Sequence, residues 1–314
     1  MTFNFDNTML CDFAGCDASA IAKYVFGLRG RGEKIAADMG NAYHSALELH
    51  FHGGSKRDVT VLFEREYDKV IPPGEQPEEA RFGRKNCITI MERYCDTRPV
   101  DKMPWTVVET EVVRGIVLDD KGEFIFWVKR DILGQDKQTG FYVPVDHKTA
   151  GNLSAWWARK WRLTSQLSGY CWFTGQEYGQ PVKECYVNAL EVKKLPDSSR
   201  RCAAHGVKYI ECGPEHANFQ IYAYRLSQEQ LNKWKSDALI IAKQAKILMQ
   251  AFGDINLLPY ARRNGAFNDS CVFCEFKEWC AGDFSPGLAE VLTIYDPWEP
   301  WKDGQVVTAG WRMG

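Results

Sequence analysis

In the run FYVPVDHKTAG, Asp146 and Lys148 stand two residues apart, and Asp131 precedes them in FWVKRDILG. Alternation along a strand puts residues i and i+2 on one face, so Asp146 and Lys148 project together. The intervening loop is short enough to return the second strand beside the first and bring Asp131 next to Asp146. Two carboxylates and an ammonium in one place suit metal-assisted hydrolysis of a phosphodiester. Hard carboxylate oxygens hold Mg2+ or Mn2+, and the lysine orients a water or meets the charge that develops on the phosphate. An isolated D-x-K pattern also describes a surface ion pair on a hairpin, so the pair alone does not decide.

Other segments add to it. In LTSQLSGYCW, Gln166 and Tyr170 are i and i+4 on a helix and share one face. His44 lies in MGNAYHSALELHF among small residues that permit close approach, although a single helical histidine is more often a packed or exposed residue than a ligand. AWWARKWRLT sets Trp157, Arg159, Lys160 and Arg162 just ahead of Gln166, with Trp156 and Trp161 interleaved. Cations among rings suit a single nucleic-acid strand, through phosphate contacts and base stacking; a helix with a buried Trp face and solvated cations has the same pattern. Arg29, Arg31 and Lys34 are placed to line the same cleft, and RRCAAHGVK reads as an exposed loop.

Farther along, CVFCEFKEWC carries Cys271, Cys274 and Cys280 at C-x2-C-x5-C spacing. Three thiolates are one short of a tetrahedral site. The chain has eleven cysteines, an odd number, and its first residues, MTFNFDNTML, lack a basic stretch followed by an apolar one. The expectation is a cytoplasmic protein whose clustered cysteines bind metal rather than form a disulfide framework. Cys87, Cys95, Cys171, Cys185, Cys202 and Cys212 have no paired metal spacing and are expected to pack as small apolar side chains.

A net charge of −2 over 314 residues excludes a general polyanion binder. Any nucleic-acid surface has to be a local basic track. The 45% apolar and 25% charged fractions are those of a globular protein with a sizeable core, and no apolar run approaches the ~20 residues of a membrane span. Neither a G-x-G-x-x-G fingerprint nor a C-x3-C-x2-C run is present, which disfavours a redox role.

These residues need a scaffold. Helical periodicity covers Asp17 to Leu28, Lys34 to Phe51, Val59 to Val70 and Glu79 to Asp96, with the breaker PPGEQP before the last. The period then shortens. Trp105 to Leu118, Glu123 to Leu133 and Phe141 to Val145 read as strands, Leu153 to Glu177 as one helix, and Lys183 to Val192 and Phe219 to Arg225 as strands. A long amphipathic helix, Gln228 to Phe252, closes the series. Helices, a strand meander, a crossover helix and more strands describe an α/β fold with a mixed sheet flanked by helices, not a doubly wound alternation.

The order His44, Asp131, D-x-K-T at 146–149 and Q-x3-Y at 166–170 resembles the RecB-family branch of the PD-(D/E)xK nucleases. FAGC, Phe13 to Cys16, followed by an Ala-rich helix ending YVFGL, is similar to the F-x2-C opening of the iron–sulfur members, AddB and the RecB-like nuclease of CRISPR adaptation among them. The resemblance spans residues 10 to 282 and implies a restriction-endonuclease-like core at 105–252. An N-terminal helical region would occupy 1–104, a cysteine cluster 253–284, and a tail 285–314.

The same resemblance implies that His44, Asp131, Asp146 and the backbone carbonyl of His147 bind Mg2+ or Mn2+. Lys148 would be the catalytic lysine, while Gln166 and Tyr170 would position the scissile strand. Cys16 would join Cys271, Cys274 and Cys280 around a 4Fe–4S cluster that staples the two ends of the chain. Structural Zn2+ is the alternative, and Cys11 is a rival to Cys16. The implied partner is DNA, taken as single strands or free ends, in recombination, repair or processing, with further proteins of such pathways. An endonuclease of the same fold and a DNA-binding subunit without catalysis are the alternatives. Two positions depart from the pattern: Val128 stands where a Gly commonly precedes the first aspartate, and Asp17 where a Pro usually follows the first cysteine.

Overall fold

The computed structural model describes residues 2–31, 35–71, 81–182, 184–193, 206, 218–267, 270–302 and 304–307. Strand β1 (Phe3–Asp6) leads into helices α1 (Asn7–Gly15) and α2 (Asp17–Tyr24) and a short strand, β2 (Leu28–Gly30). Helices α3 (Ile35–Phe51), α4 (Lys56–Val70) and α5 (Arg84–Thr97) precede the meander β3 (Trp105–Val117), β4 (Phe124–Asp136) and β5 (Tyr142–Ala150). Helices α6 (Ala155–Trp161) and α7 (Ser165–Tyr178) cross over to β6 (Glu184–Glu191), followed by β7 (Phe219–Arg225) and α8 (Gln228–Ala251). The chain finishes with α9 (Lys277–Ala281), α10 (Pro286–Leu292), β8 (Thr293–Tyr295) and β9 (Gln305–Val307).

The sheet runs β7-β6-β5-β4-β3-β9, and β1 also pairs with β4. The meander pairs are antiparallel, as short loops dictate, whereas β5 and β6 are parallel and therefore need the α6–α7 crossover. One face carries α3, α4 and α5 over Tyr43, Phe63, Tyr94, Trp105, Ile132 and Val145. The other carries α1, α2, α7 and α8 over Phe5, Ile21, Phe126, Phe173 and Trp234. On α7, a Cβ at Gly169 would lie 2.8 Å from Trp234 and 3.0 Å from Phe126, so only a glycine lets that helix sit so close.

This is the mixed α/β architecture expected from the sequence, with three local differences. The expected helix Asp17–Leu28 stops at Tyr24, because Gly27 (φ +63°) turns the chain into β2. The expected helix Leu153–Glu177 is two helices. Thr164 is extended (φ −75°, ψ 138°), and its amide and hydroxyl both return to the Trp161 carbonyl. The strand β1 and helix α1 carried no periodic signal long enough to read. Lys34, PPGEQP, Lys183, RRCAAHGVK apart from Gly206, Cys202, Cys212 and residues 308–314 lie outside the described residues. No described helix is long and apolar enough to cross a membrane.

Strand β4 changes partners along its length. Phe124–Trp127 pair with β1, and Ile132–Gln135 pair with β5. Between them, Val128, Lys129 and Arg130 are paired on the β3 side. β5 turns to β6 from Val145 onward, so Asp131 and Asp146 sit where β4 and β5 part.

Candidate active site

At that parting, the backbone amide of His147 donates to Asp131 Oδ2 at 2.6 Å. Lys148 Nζ donates to Asp146 Oδ1 at 3.0 Å and lies 2.8 Å from Oδ2. The alternation of β5 thus projects Asp146 and Lys148 together. Helix α3 brings His44 above them, its Nδ1 3.3 Å from Asp131 Oδ1. Small residues line this approach: Ala42 and Ala46 are buried on α3, and Gly40 lies beside Thr149 of β5.

A third acidic group joins them that sequence reasoning missed. Glu111 falls in β3 between the pairs Thr110↔Ile132 and Val112↔Arg130, opposite Asp131. Its φ is +53°, in the left-handed region that non-glycine residues rarely enter and that recurs at functional sites. The ligand atoms of His44, Glu111 and Asp131 lie within 4.8 Å of one another, the set of that kind among the described residues. Lys129 forms an ion pair with Glu111. In the sequence, Glu111 reads as an outward-facing strand residue; the backbone twist that turns it inward leaves no mark there.

The charges are crowded and poorly hydrated. Burial pushes Asp146 up to about 6, reinforced by the Asp131 charge and opposed by Lys148. Burial acts the same way on Asp131, but His44 outweighs it and holds that carboxyl well below the usual range. His44 itself is raised, the attraction of Asp131 overcoming a burial that lowers it. Glu111 is raised by burial and by Asp131. His147 is lowered to about 3 by burial, so its ring is neutral; it stacks on Phe51 at 5.3 Å, and Asn188 Nδ2 donates to its Nδ1 at 2.9 Å. Carboxylates forced together out of water are what a divalent cation relieves. The donor set fits such an ion: two carboxylates and an imidazole within reach, and a buried Asp146 Oδ2 that makes no aligned hydrogen bond.

On α7, Gln166 and Tyr170 meet as their spacing requires, Gln166 Nε2 donating to the Tyr170 hydroxyl at 3.1 Å. That hydroxyl donates in turn to the Lys129 carbonyl at 2.8 Å, within the stretch of β4 between its β1 and β5 pairings. Helix α6 divides the expected strand-binding residues. Arg159, Lys160 and Arg162 are exposed. Trp157, only 8% exposed, packs against Trp161 and Tyr222 in the core, while Trp156 is 76% exposed. The Lys148 ammonium lies over the Trp161 ring at 5.2 Å. Arg29 pairs with Asp296, and Arg31 donates to the Thr293 and Glu290 carbonyls.

Cys16, Cys271, Cys274 and Cys280 all line one cavity of about 270 Å3, closed by Phe276 and Phe284. Cys11 lines a neighbouring cavity together with Cys16, Cys271 and Cys274, whereas Cys280 lines only the first. Asp17 is buried and accepts from Arg262 Nε at 2.8 Å, tying α2 to the segment that leads into the cysteines. Cys87, Cys171 and Cys185 are buried, as expected of small apolar side chains, and Cys95 is half-buried.

Paired carboxylates, an adjoining lysine and a helical histidine at a strand parting are the groups that metal-assisted phosphodiester hydrolysis requires. The sequence model of the PD-(D/E)XK nuclease superfamily matches residues 8–281, and the chain belongs to that superfamily. No curated protein matches the chain.

Proposed function

We propose that the protein is a Mg2+- or Mn2+-dependent deoxyribonuclease that degrades single-stranded or free-ended DNA as an exonuclease, in recombination, repair or processing. The observation that carries this reading is the convergence of His44, Glu111 and Asp131 beside the Asp146–Lys148 pair. His44, Glu111, Asp131 and Asp146, with the carbonyl of His147, would hold the ion, which when bound polarises the phosphate and lowers the pKa of a water. Lys148 orients the attacking water and meets the charge developing on the phosphate. Asp146 and the Trp161 ring hold its ammonium on station. Gln166 and Tyr170 set the scissile strand, and their own positions are set by the Lys129 carbonyl.

Preference for a single strand is supported by the exposed row Arg159, Lys160 and Arg162 with Trp156, a narrow track on a near-neutral body. The four cysteines are proposed to hold a 4Fe–4S cluster. The four share the lining of one pocket, which suits a single group ligated by all of them.

The test is cleavage of linear and covalently closed single-stranded DNA with Mg2+ or Mn2+, for wild type and Lys148→Ala. Cutting of linear DNA alone, lost in Lys148→Ala with DNA binding retained, is the expected result. Equal rates on both substrates would make the protein an endonuclease. DNA binding without cutting by wild type would make it a binding subunit. Protein purified without oxygen should be brown; a colourless protein with stoichiometric zinc would replace the cluster by that ion.

A further inference from the structure

The stretch of β4 between its β1 and β5 pairings is the floor of a pocket of about 180 Å3. Asp6, Asn7, Trp127, Lys129, Trp298 and Pro300 line it, and so do Gln166 and Tyr170, which makes it continuous with the candidate active site. Two indoles stand in its walls, and both are held by their Nε1 atoms. Trp127 donates to Asn4 Oδ1 at 3.0 Å, and Trp298 donates to Asp6 Oδ2 at 3.2 Å. Cations lie over the Trp298 ring as well, Arg29 at 5.2 Å and Lys23 at 5.4 Å. The Asn7 side-chain oxygen, buried at the same place, has no hydrogen-bond partner among the described residues.

We propose that this pocket binds one nucleobase of the substrate strand, next to the phosphate that is cut. The inference rests on the nuclease reading above and adds a site to it. A planar, partly polar group laid against the half-exposed, fixed Trp298 ring gains stacking energy whatever its sequence. The volume admits one base and not a stacked pair, which suits a strand splayed from its neighbours. Trp298 reaches the pocket because β8 pairs with β2 and Arg29 holds Asp296. The C-terminal segment thus becomes a wall of the substrate path.

The experiment places 2-aminopurine at successive positions of a single strand and binds it to the full chain in EDTA, where the DNA stays intact. Binding is followed by anisotropy and stacking by fluorescence quenching. One position is expected to be quenched several-fold more than its neighbours. That quenching should be lost in Trp298→Ala and largely kept in Trp298→Phe. Removing the base at that position from the DNA, with wild-type protein, should weaken binding about tenfold, the loss of one stacked base. DNA that binds with no position dependent on Trp298, or an abasic site tolerated everywhere, would overturn the subsite and leave the nuclease reading standing. A chain that neither binds nor cuts DNA would overturn both.

Discussion

A glutamate held at φ +53° inside a strand costs roughly 1–3 kcal/mol, and Glu111 keeps that conformation opposite Asp131. Glu111→Gly relieves the backbone and removes the carboxylate. It is expected to raise the Tm while lowering Mn2+ affinity at least tenfold by calorimetry; binding equal to wild type would take Glu111 out of the site. An imidazole donor favours Mn2+ over Mg2+ in the mixed set, so His44→Ala should depress Mn2+-supported cleavage more than Mg2+-supported cleavage. Equal losses with both ions would count against ligation by His44. Asp136 offers a prediction on stability. Burial opposes its ionisation, but the Tyr186 hydroxyl and the amides of Thr139 and Gln138 outweigh it, so its pKa lies below the usual value. Its stabilisation is therefore present above pH ~4 and is lost as the pH falls through the folded value. The Tm gap between wild type and Asp136→Asn should be widest near pH 7 and shrink below pH ~4; a gap constant down to pH 2 would contradict this. Asp146 and Lys148 were legible because strand alternation needs only two residues of local sequence. Glu111 was not, since its orientation depends on an unusual φ that sterics imposed by neighbours, and not its own side chain, select.

Among the elements, α7 is fastened to β4 by a hydroxyl and by a missing side chain. Tyr170→Phe leaves the Lys129 carbonyl short of its donor, at a cost of about 1–3 kcal/mol, and frees Gln166. Gly169→Ala forces a methyl against Trp234 and Phe126, an overpacking that costs about 1–3 kcal/mol. Thermal denaturation of both is the check, and an unchanged Tm for Gly169→Ala would mean that α7 can shift outward. The long elements, α3, α8 and the meander, were readable because their periods repeat many times. β1, β2, β8 and β9 have three or four residues each, and they are strands only because a neighbouring strand is there to pair with. The break at Thr164 escaped for a similar reason: the residues on both sides are helix formers, and one extended residue decides.

At the scale of the whole molecule, the two ends are held together at several points: Asp17 with Arg262, the Gly30 amide with Glu275 Oε2 at 3.0 Å, β2 with β8, and the four cysteines around one cavity. If one bound group unites those cysteines, Cys16→Ser and Cys271→Ser should each lower the Tm, and the double variant should fall little further than either. Additive losses would show two independent sites. The order in which these parts become available has its own consequence. A ribosome delivers β3 early and β9, its parallel neighbour at Arg114–Ile116, only after most of the remaining chain. At roughly 5–20 residues per second, the outer edge of β3 waits about 10–40 s for its cover. During that time Arg114–Ile116, the three residues of that border that β9 covers, stay unpaired on that side, and an open edge of this kind recruits foreign strands. Yield from overexpression should therefore respond to translation speed and to chaperones that shield such edges, even where the finished protein is stable.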